Sequence, residues 1–207
     1  IKSSEYYKKA ADKGSLKGMK KYATMLKEGD GIQSNEKESA VYFKLAADKG
    51  DPESMTNYGL MLREGKGVQM DKIGSVRYFK MAADRGDSGG LFHYGRAFHT
   101  GAGVATNYSE AIKYYKMAIE KDNLFAMNNY GVMLESGLGV PKNLIEAKKL
   151  YKISADKGNV VAMSNYAKLM RSENVDEALK YFKMAADKGH TDSASNYRLL
   201  FSNRGTK

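Results

Sequence analysis

Three histidines, His93, His99 and His190, are the only imidazoles this chain can offer to a metal or a proton transfer. His93 and His99 stand six residues apart in one helical pattern. At about 100° per residue they point roughly 240° apart around the axis, so they do not share a ligand. There is no cysteine and no HExxH pair, so the usual makings of a zinc site are missing. The three read as surface or interhelical histidines, and no metal or organic cofactor is expected.

Two other patterns carry chemistry elsewhere. Glycine pairs recur as GDGI from Gly29, GKGV from Gly65, GAGV from Gly101 and GLGV from Gly137. A dinucleotide fingerprint needs a strand before its glycines and a helix after them. Here the glycines follow a helical pattern, with no third fingerprint glycine and no GK[ST] ending, so they read as turns. Asp48, Asp84, Asp156 and Asp187 recur at one position, each beside a basic residue. A catalytic carboxylate is needed once, whereas a residue needed in every unit serves the fold. No Ser/His/Asp constellation can be argued from the spacing. The chain is read as non-enzymatic.

The elements behind these residues are repeats. YYKKAADKG ends at Gly14, and near copies end at Gly50, Gly86, Asp122, Gly158 and Gly189, spaced 36, 36, 36, 36 and 31 residues apart. Between them recur MTNYGLML (Met55 to Leu62), MNNYGVML (Met127 to Leu134) and MSNYAKLM (Met163 to Met170). Loss of the glycine turn from the last interval accounts for most of its shortfall. Ser39, Tyr42, Phe43, Ala46 and Ala47 make one helical stripe, which Gly50 ends. Ser54, Met55, Tyr58, Gly59, Met61 and Leu62 make a broader one, wide enough to pack against more than one neighbour. Ala23, Gly59, Gly95, Gly131 and Ala167 recur at one position and predict close helix–helix approach. A lone helix pair cannot bury both faces, so adjacent pairs must stack. The expected fold is all-α, a right-handed α/α superhelical solenoid of about six helix pairs built on 36-residue repeats, one domain over 1–207.

Composition agrees. With 42% hydrophobic and 28% charged residues in 207, the chain can bury a core, and disorder is excluded. No run of eighteen apolar residues exists to span a membrane. With no cysteine and no visible signal peptide, a cytoplasmic location is expected. An opening at Ile1 without Met reads as a fragment of a longer repeat protein, with further chain covering Tyr6, Tyr7, Ala10 and Ala11.

The order small residue, Met, aromatic, Gly, then GxGV, then aromatic-aromatic-x-x-Ala-Ala-x-x-Gly resembles the Sel-one-like repeat family. That family is related to tetratricopeptide repeats but is 36 rather than 34 residues long. The resemblance covers essentially the whole chain. The family's usual Trp is Tyr42, Tyr78, Tyr114 and Tyr181 here, or Leu150. Arg198 replaces the small residue of the last unit, so the last helix is expected to end the stack or bend outward. The resemblance implies a scaffold or adaptor for assembling protein complexes, with no catalytic residues to carry over.

Recognition is expected where the repeats differ. Asn57, Asn129, Asn165 and Asn196 recur and are read as repeat-internal hydrogen bonders. The third, sixth and tenth residues after each repeat-ending position lie opposite the packed stripe. The likeness to tetratricopeptide repeats puts this helix on the concave surface. Those positions hold Lys20, Thr56, Leu60, Phe92, Arg96, Phe125, Asn128, Val132, Ser164 and Lys168. Apolar Leu60, Phe92, Phe125 and Val132 beside Arg96 and Lys168 look like an aromatic-and-arginine interface for other proteins with acidic and apolar segments. The alternative for Phe92 and Phe125 is packing under a neighbouring helix.

The net charge of +10 offers a rival. Lys8, Lys44, Lys80, Lys116, Lys152 and Lys183 share one repeat position, and Lys13, Lys49, Arg85, Lys121, Lys157 and Lys188 another, so part of the charge is template. Stacked repeats would align them into a basic edge stripe able to attract RNA or an acidic filament or tail. No reader motif for nucleic acid accompanies it.

Overall fold

From the second helix on, each helix starts where an oxygen- or nitrogen-bearing side chain takes up a free backbone N–H. Ser15, Asp51, Asp87, Asn123 and Asn159 cap the helices that begin at Leu16, Pro52, Ser88, Leu124 and Val160. Asn35, Asp71, Asn143 and Asn174 do the same for the helices that begin at Glu36, Lys72, Leu144 and Val175. Such caps typically contribute about 1 kcal/mol each. The structure, a computed structural model, describes residues 2–203. Ile1, on which the expectation of a longer chain partly rests, lies outside the described residues.

Among the described residues there are twelve helices and no strand. They are α1 (Lys2–Asp12), α2 (Leu16–Glu28), α3 (Glu36–Asp48), α4 (Pro52–Glu64), α5 (Lys72–Ala83) and α6 (Ser88–Thr100). The second half holds α7 (Tyr108–Ile119), α8 (Leu124–Ser136), α9 (Leu144–Asp156), α10 (Val160–Met170), α11 (Val175–Asp187) and α12 (Thr191–Ser202). The chain divides into two compact units, Ile1–Ala118 and Ile119–Lys207. In the first, α1 to α6 each pack on the next, and α4 also meets α6. In the second, α8 to α12 do the same. Sequential packing of this kind is that of an α/α solenoid.

The predicted stripes are the buried ones. Ser39, Tyr42, Phe43, Ala46 and Ala47 are buried on α3, and Ser54, Met55, Tyr58, Gly59, Met61 and Leu62 on α4. A Cβ at Gly59 would come within 2.7 Å of the Phe79 ring, and one at Gly131 within 2.7 Å of Tyr151. The missing side chain lets the next helix press its ring onto the backbone, which offsets the helix propensity glycine gives up. Gly65 closes α4 in the left-handed conformation. Gly67 does more: a Cβ there would lie 2.1 Å from the Glu36 carbonyl oxygen, so this turn rests directly on the start of α3.

At the last helix, Arg198 is exposed, Leu199 and Phe201 are exposed beside it, and Ser193 is the buried residue of α12. At the first, Tyr6 is exposed while Ala11 is buried.

Candidate functional site

The sixth position after each repeat-ending residue is engaged in structure where the sequence left it open. The Lys20 ammonium on α2 lies 3.0 Å from Asp51 and 2.6 Å from Glu53. Thr56 is buried on α4, and its hydroxyl donates to Asp87 at 2.7 Å. Asp51 and Asp87 are the N-caps of α4 and α6, so each bond ties one even-numbered helix to the start of the next. Burial would raise the Asp51 carboxyl, but hydrogen bonds from Ser54 and Lys20 outweigh it and hold the group below the ordinary carboxylate range. In the second unit Asn128 is buried and accepts from Asn165 at 3.0 Å, and Ser164 is buried as well.

The remaining positions differ from one another. Arg96 and Lys168 are exposed and have no ion pair among the described residues. Leu60 and Val132 are half-buried. Phe125 is 61% exposed, whereas Phe92 is 8% exposed, its ring against His93 and Tyr115. In the first unit the open face therefore offers Leu60 and Arg96. In the second it offers Phe125, Val132 and Lys168.

The recurring asparagines divide by role. Asn57 and Asn196 donate to carbonyls one turn earlier in their own helices, at 3.0 and 2.8 Å. Asn57 also accepts from Lys27 of the preceding repeat, and Asn165 reaches back to Asn128.

Both histidines of α6 have ring nitrogens within reach of neighbours. His93 Nδ1 lies 3.3 Å from Arg63 on α4, and its ring stacks on Phe79 with centroids 5.1 Å apart. A guanidinium can only donate, so Nδ1 accepts and the neutral ring carries its proton on Nε2. Burial, then the positive fields of Arg63 and Arg96, push His93 down to about 3. His99 lies 3.2 Å from the Tyr115 hydroxyl and is also lowered, by burial and then Arg96. Among the described residues, no group of three or more His, Asp or Glu side chains could hold a metal ion.

A cavity of about 140 Å³ opens beside His93, lined by Arg63, Ser75, Phe79, Arg96, Ala97 and Thr100 among others. Sequence reasoning missed it. The available signal was Ala97, which stands where the other repeats place Met61 and Met133, both buried.

One row of the basic edge is largely paired, whereas in the row of Lys13, Lys49, Arg85, Lys121, Lys157 and Lys188 an ion pair is seen for Lys157, with Asp122 at 2.5 Å. Lys44, Lys80, Lys152 and Lys183 each lie 2.7–2.8 Å from an aspartate one turn later, and Lys8 lies 3.0 Å from Glu38. Those aspartates are the recurring Asp48, Asp84, Asp156 and Asp187. The tyrosines in the usual Trp position form edge-to-face pairs: Tyr22 with Tyr42, Tyr58 with Tyr78, Tyr94 with Tyr114, and Tyr166 with Tyr181. Their hydroxyls add polar bonds that an apolar plug lacks, as Tyr42 shows by donating to Asp12 at 2.6 Å.

The repeat unit is what identifies the chain. The model of the Sel1 repeat matches residues 2–15, 16–51, 52–87, 88–123, 124–159 and 161–190. The chain belongs to the Sel1 repeat family. A Sel1 repeat protein from Oxalobacter formigenes is similar at 27% identity and a TM-score of 0.79, over 92% of this chain and 86% of that one. A putative Sel1 repeat protein from Klebsiella pneumoniae shares the fold at 16% identity and a TM-score of 0.64, over 95% and 98% of the two chains. The c5321 protective antigen of uropathogenic Escherichia coli shares it at 24% identity and a TM-score of 0.62; this chain covers 51% of that protein's length. Among curated proteins, none matches the chain by sequence. As a Sel1 repeat protein, the chain has the stacked-hairpin fold of that family, and among its described residues no helix is long and apolar enough to cross a membrane.

Proposed function

We propose that this Sel1 repeat protein is a non-enzymatic scaffold or adaptor that binds partner proteins on the open faces of its even-numbered helices. The partner segment is acidic and apolar. One contrast carries the reading: the template lysines Lys44, Lys80, Lys152 and Lys183 are each paired with an aspartate one turn on, whereas exposed Arg96 and Lys168 at variable positions have no ion pair among the described residues. Half-buried Leu60 and Val132 stand at the repeat position that holds Arg96 and Lys168 in other units, and exposed Phe125 adds apolar area on α8. Unpaired cations beside apolar side chains suit anchors that an acidic partner desolvates. The family's general use as a protein-assembly scaffold agrees with this, as does a cytoplasmic working place for a chain with no cysteine.

The test is affinity purification from the native source with cross-linking, followed by calorimetry on the purified partner. Arg96→Ala and Phe125→Ala, both at exposed sites, are expected to weaken binding by roughly 2 kcal/mol where they act as anchors. Unchanged affinity in both overturns the placement. A steep fall of log affinity with log salt, with an RNA or an acidic filament as the captured molecule, would transfer the function to the basic edge.

A further inference from the structure

We propose that the cavity between Arg63, His93 and Arg96 in the first unit is a binding pocket for a single carboxylate, the side chain of an aspartate or glutamate in a partner protein. This rests on the reading of the open helix face as a protein-binding surface and names the chemistry of one contact on it.

The pocket coincides with one substitution among the repeats: Met61 and Met133 are buried at the equivalent position of their own repeats, and α6 has the smaller Ala97 instead, which lines the cavity. The resulting volume, about 140 Å³, far exceeds the roughly 10–15 Å³ that admits one water. Part of its lining is apolar: Phe79 is buried and stacks on the His93 ring. Exposed Arg96 and Thr100 stand among the lining residues, so a partner can reach it from solvent.

Its polar lining is one-sided. Arg63 and Arg96 bring two permanent charges, and no carboxylate lines the space. Glu64 lies just outside the lining and pairs with both Arg63 and Lys66 at 2.9 Å, so Arg63 is partly neutralised and Arg96 is the lining cation that has no ion pair among the described residues. Because His93 accepts from Arg63 through Nδ1, its Nε2–H is a third donor. Two guanidiniums and an imidazole N–H suit the acceptor-only oxygens of a carboxylate.

The other clefts of the first unit contrast with it. The one around Lys20 already contains Asp51 and Glu53, and the one around Lys8 contains Glu38. Unlike the space beside His93, both have carboxylates of the protein's own in their lining, and these pair with Lys20 and Lys8.

The charges facing His93 are Arg63 and Glu64 from α4 and Arg96 from its own helix, while α5 brings only Phe79 and Ser75. Burial and the two arginines keep the ring neutral in the empty pocket. A bound carboxylate adds an opposite charge beside the ring and makes it easier to protonate.

The experiment is an NMR titration of the full chain with N-acetylglutamate amide, following the His93 ring resonances, with inorganic phosphate as a second arm. Saturable movement of the His93 signals by the glutamate probe is expected, together with a rise in the His93 pKa. Ala97→Met, which restores the residue used by the neighbouring repeats, should weaken the probe at least tenfold, and so should Arg96→Gln. Tighter binding of phosphate than of the glutamate probe overturns the assignment in favour of a phosphate site. Absence of saturable shifts with either probe overturns it outright. Partner affinity that still depends on Arg96 and Phe125 while the glutamate probe fails to bind would defeat the pocket and leave the scaffold reading standing. Partner affinity indifferent to those residues while the probe binds would do the reverse.

Discussion

The Thr56 hydroxyl donates to the Asp87 carboxylate at 2.7 Å, joining the middle of α4 to the residue that caps α6. Asp87 also accepts from the Gly90 backbone N–H at 2.7 Å, so one carboxylate serves its own helix and the preceding repeat together. Stacking of successive hairpins is thus fastened by polar bonds as well as by apolar burial. Thr56→Val keeps the shape, removes the donor and leaves the half-buried Asp87 carboxylate short of one partner. It should cost about 1–2 kcal/mol of stability in urea unfolding. A variant as stable as the parent would show that the bond contributes nothing measurable.

Stability should also depend on His93. Its pKa in the folded chain is about 3, against an ordinary value of 6.5, because burial and then Arg63 and Arg96 disfavour the charged ring. The unfolded chain therefore takes up the proton first. Folding is unpenalised above pH 6.5 and loses stability as pH falls from there toward 3. Between pH 7 and pH 5 the loss should be about 1–2 kcal/mol, at about 1.4 kcal/mol per unit before screening. In His93→Asn, which places there the residue that Asn57, Asn129 and Asn165 supply elsewhere, this part of the decline should vanish. Urea midpoints measured across that range decide it, and parallel curves for the two proteins would refute the assignment.

The two glycines of one turn should differ in what they tolerate. Gly65 and Gly67 both have φ of +69°, so alanine at either meets a left-handed backbone that costs about 1–2 kcal/mol. At Gly65 the nearest atom to a new Cβ is 3.4 Å away, an ordinary contact. At Gly67 the Cβ would sit 2.1 Å from the Glu36 carbonyl oxygen, and backbone cannot swing aside as a side chain can. Gly67→Ala should therefore cost about 2 kcal/mol more than Gly65→Ala. Equal losses in chemical denaturation would mean that the turn does not rest on α3 as described.

Much of this architecture was legible before any coordinates. The stripes through Ser39, Tyr42 and Phe43 and through Met55, Tyr58 and Met61 are helical in period and copied along the chain, so burial followed from spacing alone. The small residue at Gly59 announced a close approach, and the Phe79 ring makes it. The candidate face was less legible. Lys20, Thr56 and Phe92 share one repeat position, yet Lys20 pairs with Asp51, Thr56 bonds to Asp87, and Phe92 is buried against His93 and Tyr115. Position within a repeat gives the direction of a side chain. It does not say whether a neighbouring helix brings a carboxylate or a ring into reach.

The sequence by itself determined the repeat, the helices, their caps and the stripe each one buries, because these depend on residues a few positions apart. Only the tertiary structure decided which variable side chains remain open. It turned Lys20 and Thr56 into bridges between repeats, left Arg96 unpaired, and made a cavity out of Ala97. The physical reason is distance along the chain. Those outcomes depend on atoms some thirty residues apart in sequence, and such atoms become neighbours only when one hairpin is laid against the next.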